Sequence, residues 1–193
     1  MMRDYILMTD SCCDLSGQEV AELGLTVLPL SYTIDGETYL NTPDHADMSP
    51  EDFFARVAAG AECSTAAVNV GQFDEAMRRE LDAGRDILCI CFSSALSTTY
   101  QSACIAAEDL RGEYPDAKII VIDSLSASRG QGMLLYRAVQ ERRKNDPDIE
   151  TLAAYVRGII QSQCHWFIVD DLNQLKRGGR VSATAAFVGT VLG

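Results

Sequence analysis

The sequence has little positive charge, no long apolar run, no paired-cysteine pattern and only two histidines, and each shortage removes a class of function. Lys and Arg total 16 against 28 Asp and Glu, a formal net charge of -12. Such a chain repels phosphate backbones and anionic headgroups, and no basic cluster makes a local exception, so nucleic acid and a bare anionic membrane are poor partners. No apolar run approaches the ~20 residues that cross a bilayer, which argues against stable membrane insertion. The opening Met1-Met2-Arg3-Asp4-Tyr5-Ile6-Leu7-Met8 turns polar too quickly for a signal peptide. The seven cysteines (Cys12, Cys13, Cys63, Cys89, Cys91, Cys104, Cys164) are odd in number and lack disulfide-scaffold spacing. Both features fit a reducing cytoplasm.

Catalytic signatures are scarce as well. There is no Gly-x-Ser-x-Gly elbow, and only His45, in a polar stretch, and His165, at the start of an expected strand, could serve a serine as base. Gly130-Gln131-Gly132 lacks the third glycine of a phosphate loop and reads as a helix start. Cys89 and Cys91 lie two apart on a strand, hence on one face, where they pack as small hydrophobes. No second Cys pair or His completes a zinc set, so no metal and no cofactor is expected. Cys12-Cys13 sit at a strand exit without a resolving arrangement. The charges of Met77-Arg78-Arg79-Glu80 and Glu141-Arg142-Arg143-Lys144 belong to helix faces and ends and need no partner.

What remains is an ordinary globular composition, 47% hydrophobic and 23% charged over 193 residues, enough for one domain and the start of another. Short apolar runs alternate with helical patterns. Strands are expected at Tyr5–Met8, across Leu25–Ile34, at Asp86–Phe92, Lys118–Ile122 and His165–Val169. Asp35-Gly36 marks a hairpin, with Glu37–Leu40 returning. Helices are expected after Asp14 or Ser16, over 49–59 behind Ser49-Pro50, and over 70–81, 98–110, 130–144 and 148–162. Glu62–Asn69 reads as a loop. The alternation predicts an α/β fold, a mostly parallel sheet flanked by helices on both faces. Ligands of such sheets bind outside the carboxyl ends of the strands.

Those exits carry hydroxyls: Thr9 and Ser11 beside Asp10, Ser93 and Ser94, and Ser124 with Ser126 and Ser128. Ser97-Thr98-Thr99 opens a helix, so free backbone N–H groups and a positive dipole end point to the same crest. Singly these are caps and turns. Together they form a neutral-donor site for a carboxylate or phosphate. Two readings stay open: a carrier of an acidic ligand, and a hydrolase or transferase acting on a small anion at the serine-rich exit.

The ordered set Thr9-Asp10-Ser11, Ser93-Ser94-Ala95-Leu96-Ser97-Thr98-Thr99-Tyr100-Gln101-Ser102-Ala103, Asp123-Ser124 and Leu175-Lys176-Arg177-Gly178-Gly179-Arg180-Val181-Ser182 resembles the DegV family. Leu28-Pro29-Leu30, Ile34-Asp35-Gly36-Glu37 and Glu51-Asp52-Phe53-Phe54 fit that family's opening. The resemblance implies a bacterial fatty-acid-binding protein, some of whose relatives are the acyl-carrying subunit of fatty acid kinase. It implies a long-chain fatty acid in an apolar tunnel, its carboxylate held by Thr65 and Ser94, with Ser93 the alternative serine and Arg180 adding charge. Asp10, Ser11, Ser97 and Ser124 would stand behind them. Any phosphorylation would be done by a partner kinase's catalytic subunit, not by this chain. Two departures stand out. The family's Thr-Ser-Gln-Pro-Ser loop is Thr65-Ala66-Ala67-Val68-Asn69 here, and the usual glycines of the serine exit are Ala95 and Thr98. On this reading residues 1–170 form the N-terminal domain, and 171–193 form a connecting segment and the start of a truncated second domain.

Overall fold

The computed structural model describes residues 3–168 and 172–181. The chain divides into two units, Met1–Gln163 and Cys164–Gly193. The first is built on a sheet of four parallel strands, β1 (Tyr5–Asp10), β2 (Leu25–Leu28), β6 (Asp86–Cys91) and β7 (Ile119–Asp123), in the order β2-β1-β6-β7. The register sets Leu7 beside Leu25, Met8 beside Cys89 and Cys89 beside Val121. Since all four run the same way, each return crosses over through other structure. A short turn (Ser11–Cys13) and α1 (Gly17–Leu23) join β1 to β2, and α4 (Thr99–Glu113) joins β6 to β7.

Side-chain alternation along the strands divides the core in two. Leu7, Leu88, Ile90 and Ile122 pack against Leu135, Ala138 and Val139 of α5 (Arg129–Asn145) and Leu152 and Val156 of α6 (Ile149–Ile160). Met8, Ile87, Cys89 and Cys91 face Phe73, Met77 and Leu81 of α3 (Val70–Asp82) and Ala103, Ala106 and Leu110 of α4. Cys89 and Cys91 are fully buried on one face, their Sγ atoms 3.5 Å apart, as small hydrophobes. The expected α/β architecture, parallel and covered on both faces, is the one observed.

A second, antiparallel sheet departs from the sequence reading. The extended stretch over residues 25–34 breaks at Pro29-Leu30. Its first half joins the main sheet, and its second half, β3 (Ser31–Ile34), starts a three-stranded sheet of order β4-β3-β5. Asp35-Gly36 turns β3 into β4 (Glu37–Leu40), as expected. β5 (Cys63–Ala66) lies within the stretch read as a loop and pairs with β3, Thr65 opposite Tyr32. All four β5 residues are exposed, so no apolar alternation announced the strand. Next to this sheet α2 (Pro50–Ala58) starts at the expected Ser49 cap, whose side chain accepts from the Asp52 amide. Tyr32 packs edge-on to Phe53.

The strand expected at His165–Val169 is not found. Residues 165–168 have no regular structure, and Trp166, Phe167 and Ile168 are at least 82% exposed. A strand needs a ladder partner as well as apolar residues, and none pairs with these among the described residues. Val169 and residues 182–193 lie outside the described residues. In the second unit the short helix α7 (Leu172–Arg177) ends at the Gly-Gly-Arg run. The Gly179 amide donates to Lys176 O and the Arg180 amide to Leu175 O, with Gly179 at φ +74. This is a helix stop that uses a left-handed residue, for which glycine carries no Cβ penalty. No helix among the described residues is long and apolar enough to cross a membrane.

Candidate functional site

The carboxyl ends of β1, β6 and β7 meet at one crest. Thr9 is fully buried. Its hydroxyl donates to Ile90 O at 2.7 Å and accepts from Gln131 Nε2 at 2.9 Å, so α5 is tied to the β1/β6 seam. Asp10 follows, also buried. One carboxylate oxygen accepts from the Cys12 amide at 3.1 Å and the other from the Phe92 amide at 2.8 Å. This carboxylate staples the β1 exit to the residue before Ser93. Burial pushes its pKa above the ordinary value, and the amides of Phe92 and Cys12 oppose that rise.

The serines divide by exposure. Ser93 is buried. Its amide donates to Ser126 O at 3.1 Å, and its hydroxyl accepts from the Ala95 amide at 3.3 Å. Ser124 and Ser126 are buried and bond to each other: Ser126 N donates to Ser124 Oγ at 3.1 Å and Ser126 Oγ to Ser124 O at 2.9 Å. Ser11 accepts from the Leu30 amide and from Asn41 Nδ2, holding the path from β2 to β3. Ser97 accepts from the Thr99 amide, and its hydroxyl lies 2.9 Å from that of Thr99. Ser94 differs. It is exposed, its amide donates to Asp123 Oδ1 at 3.2 Å, and its hydroxyl has no bonding partner among the described residues. α4 begins one residue later than the sequence suggested, with Thr98 at its cap and no side-chain bond there.

Thr65 stands on β5, in the other sheet. It too is exposed with an unengaged hydroxyl among the described residues, and no hydrogen bond joins it to Ser93 or Ser94. The chain beyond it is anchored at Val68, fully buried in the cluster that contains Cys89 and Cys91. Three residues after Thr65 the chain therefore enters the same apolar cluster as the β6 residues Cys89 and Cys91. Arg180 belongs to the second unit, is exposed, and donates a side-chain bond to Gly178 O.

The remaining candidates do not form a reactive centre. Burial, then the Asp10 carboxylate, pushes the Cys12 thiol far up, and burial raises Cys13 to about 11, so neither is a ready thiolate. Among the described residues no group of three His, Cys, Asp or Glu side chains could hold a metal ion. Sequence reasoning did not single out Gln131, Asn41 or the sharing of Asp123 between two amides. Their roles come from contacts 30 or more positions apart or from loop geometry, and no local pattern encodes those.

Comparison with known proteins identifies the family. Residues 5–193 match the model of the DegV family, described as uncharacterised proteins. The chain belongs to the DegV family. DegV domain-containing protein CPE0026 of Clostridium perfringens is 39% identical over 191 residues, covering 99% of this chain and 65% of that protein. YteA of Lactococcus lactis, another DegV domain-containing protein, is 40% identical over 187 residues, covering 97% and 64%. This chain thus spans less than two thirds of either relative. Among solved structures, a DegV family protein from Thermus thermophilus, described by its fatty acid binding, superposes with a TM-score of 0.82 at 31% identity. That match covers 100% of this DegV chain and 65% of the other. A stearic acid-binding protein from Eubacterium ventriosum gives 0.83 at 27% identity, covering 94% and 63%.

Proposed function

We propose that this chain is a fatty-acid-binding module that holds the carboxylate of a long-chain fatty acid through the hydroxyls of Thr65 and Ser94. The observation that carries the reading is a contrast in hydroxyl use. Ser11, Ser97, Ser124 and Ser126 are engaged within the protein, while Thr65 and Ser94 are exposed with unengaged hydroxyls among the described residues. Solved structures of the same fold that are described by their fatty acid binding support it. Ser93 sits behind Ser94 as a shaping residue, and Asp10, Ser11, Ser97 and Ser124 hold the crest in place.

The energetics suit a carrier. Each buried methylene contributes about 0.8 kcal/mol, so the tail supplies most of the affinity and the head-group bonds set orientation. No residue of the chain needs to perform covalent chemistry, and no resident cofactor is required. A partner fatty acid kinase in the cytoplasm would phosphorylate the presented carboxylate, as the family resemblance implies. The hydrolase or transferase alternative gains no support at the crest, where Asp10 is committed to two amides and Asp123 to another two.

Mass spectrometry of organic extracts tests the proposal, run on the wild type and a Thr65→Ala/Ser94→Ala double variant after incubation with oleate and removal of excess. Retention of about one acid per wild-type chain, reduced tenfold or more in the variant, is expected, since a hydrogen bond to a charged group is worth roughly 1.5–3 kcal/mol. A wild type that retains none overturns the proposal.

A further inference from the structure

We infer that Leu125 is a specificity-determining contact for the first methylenes of the bound acyl chain, an inference that rests on the fatty-acid reading above. Leu125 lies in the β7 exit loop with φ +50, the left-handed region where a Cβ-bearing, γ-branched residue is unfavourable and glycine or asparagine is normal. It is 52% exposed, so packing does little to offset that strain.

The loop holds it there. Ser124 before it and Ser126 after it are buried and bonded to each other, and Ser126 O accepts the Ser93 amide. The Leu125 amide donates to Asp123 Oδ1 at 3.0 Å, the same oxygen that accepts the Ser94 amide at 3.2 Å. Leu125 and Ser94 are therefore positioned by one atom. The loop leaves a large apolar side chain exposed on a residue whose amide shares its acceptor with that of Ser94. A small inorganic anion has no use for such a neighbour. An amphiphile has, because its apolar part begins one bond from its charged group. Strain kept at an exposed apolar residue is the pattern of a position shaped for a ligand at the expense of stability.

Three variants separate this role from a structural one. Leu125→Gly and Leu125→Asn fit the left-handed backbone, and Leu125→Met keeps the apolar surface. Each is melted without ligand and then titrated with the fluorescent polyene cis-parinaric acid, with oleate as competitor. The Gly and Asn variants should melt at or above the wild-type temperature yet bind roughly tenfold more weakly, from loss of one apolar contact. The Met variant should bind as the wild type. If the wild type binds and the Gly and Asn variants match it, the role of Leu125 is overturned and the fatty-acid reading stands. If the Met variant binds as weakly as those two, apolar contact is not what Leu125 supplies, and the inference fails. If the wild type itself binds neither acid, the fatty-acid reading falls and takes this inference with it.

Discussion

Gly132 offers the sharpest test of how the crest is assembled. It lies in the first turn of α5, buried, where the helix crosses the short turn that follows β1. A methyl group added there would stand 2.8 Å from the Cys13 carbonyl oxygen, 3.0 Å from Leu15 Cδ2 and 3.3 Å from Leu15 Cγ. The leucine can rotate, but the carbonyl is backbone in a turn capped by Asp10, whose side chain accepts from Cys12 N. Gly132→Ala must therefore push α5 away from the crest. Alanine recovers about 1 kcal/mol of helix propensity, while overpacking of this kind costs about 1–3 kcal/mol or more with a backbone atom in the way. With a backbone atom at 2.8 Å the cost falls at the upper end of that range, so the expected net effect is a loss of about 1–2 kcal/mol. Gly158→Ala in α6 is the matched control, since a methyl there meets nothing within 4 Å. It should stabilise by up to about 1 kcal/mol through propensity alone. Urea denaturation followed by circular dichroism reads both, and the two variants should shift the midpoint in opposite directions. A Gly132→Ala protein as stable as the wild type would refute the close approach, and with it the claim that α5 fixes the turn carrying Ser11.

Two further outcomes follow from charge and burial. Asp10 is raised in the folded state, chiefly by desolvation, so the folded protein holds its proton more tightly than the unfolded chain. Its contribution to stability is therefore present below the ordinary carboxylate value and is lost as pH rises through the folded one. Asp10→Asn turns an N–H toward one of two amides, costs about 1–3 kcal/mol at pH 7, and widens its deficit from the wild type as pH falls. A deficit that narrows in acid would mean the two amide bonds outweigh desolvation. Glu19 has the opposite sign. A hydrogen bond from Arg129, then the Ser16 amide and hydroxyl, hold it down to about 2. Its stabilisation is present above pH 4.5 and is lost as pH falls through about 2. An NMR titration of its carboxyl should show that low midpoint, with Arg129→Gln raising it; a wild-type midpoint near 4.5 refutes the pairing.

The main sheet was legible because its central strands are buried on both faces and so carry continuous apolar runs, as in Ile87-Leu88-Cys89-Ile90-Cys91. The helix starts at Ser49 and Asp148 were legible because capping is local chemistry, and of the two caps offered for the first helix, Asp14 and Ser16, the structure uses Ser16. β5 was not, because Cys63-Ser64-Thr65-Ala66 is wholly exposed and owes its extended shape to β3, some thirty residues earlier. The reverse error occurred at Trp166-Phe167-Ile168, where apolar character suggested a strand but no ladder partner is present among the described residues.

The same division runs through the site. Ser94 could be proposed from sequence because it follows a strand that was itself legible, and a strand exit at a parallel crest is where ligands bind. Thr65 could be found only through resemblance to a family, because its strand has no pattern of its own. Leu125 could be found by neither route. A leucine after Asp123-Ser124 looks like any loop leucine, and its left-handed backbone sits between two loop bonds, its own amide on Asp123 and Ser126 on Ser124, and a bond that only the fold supplies, the Ser93 amide on Ser126. Local sequence reports what a residue prefers; a residue held against that preference can be recognised only when its neighbours in space are known. A strained, exposed apolar residue whose amide shares an acceptor with that of Ser94 is therefore the place where structure adds most to the sequence of this chain.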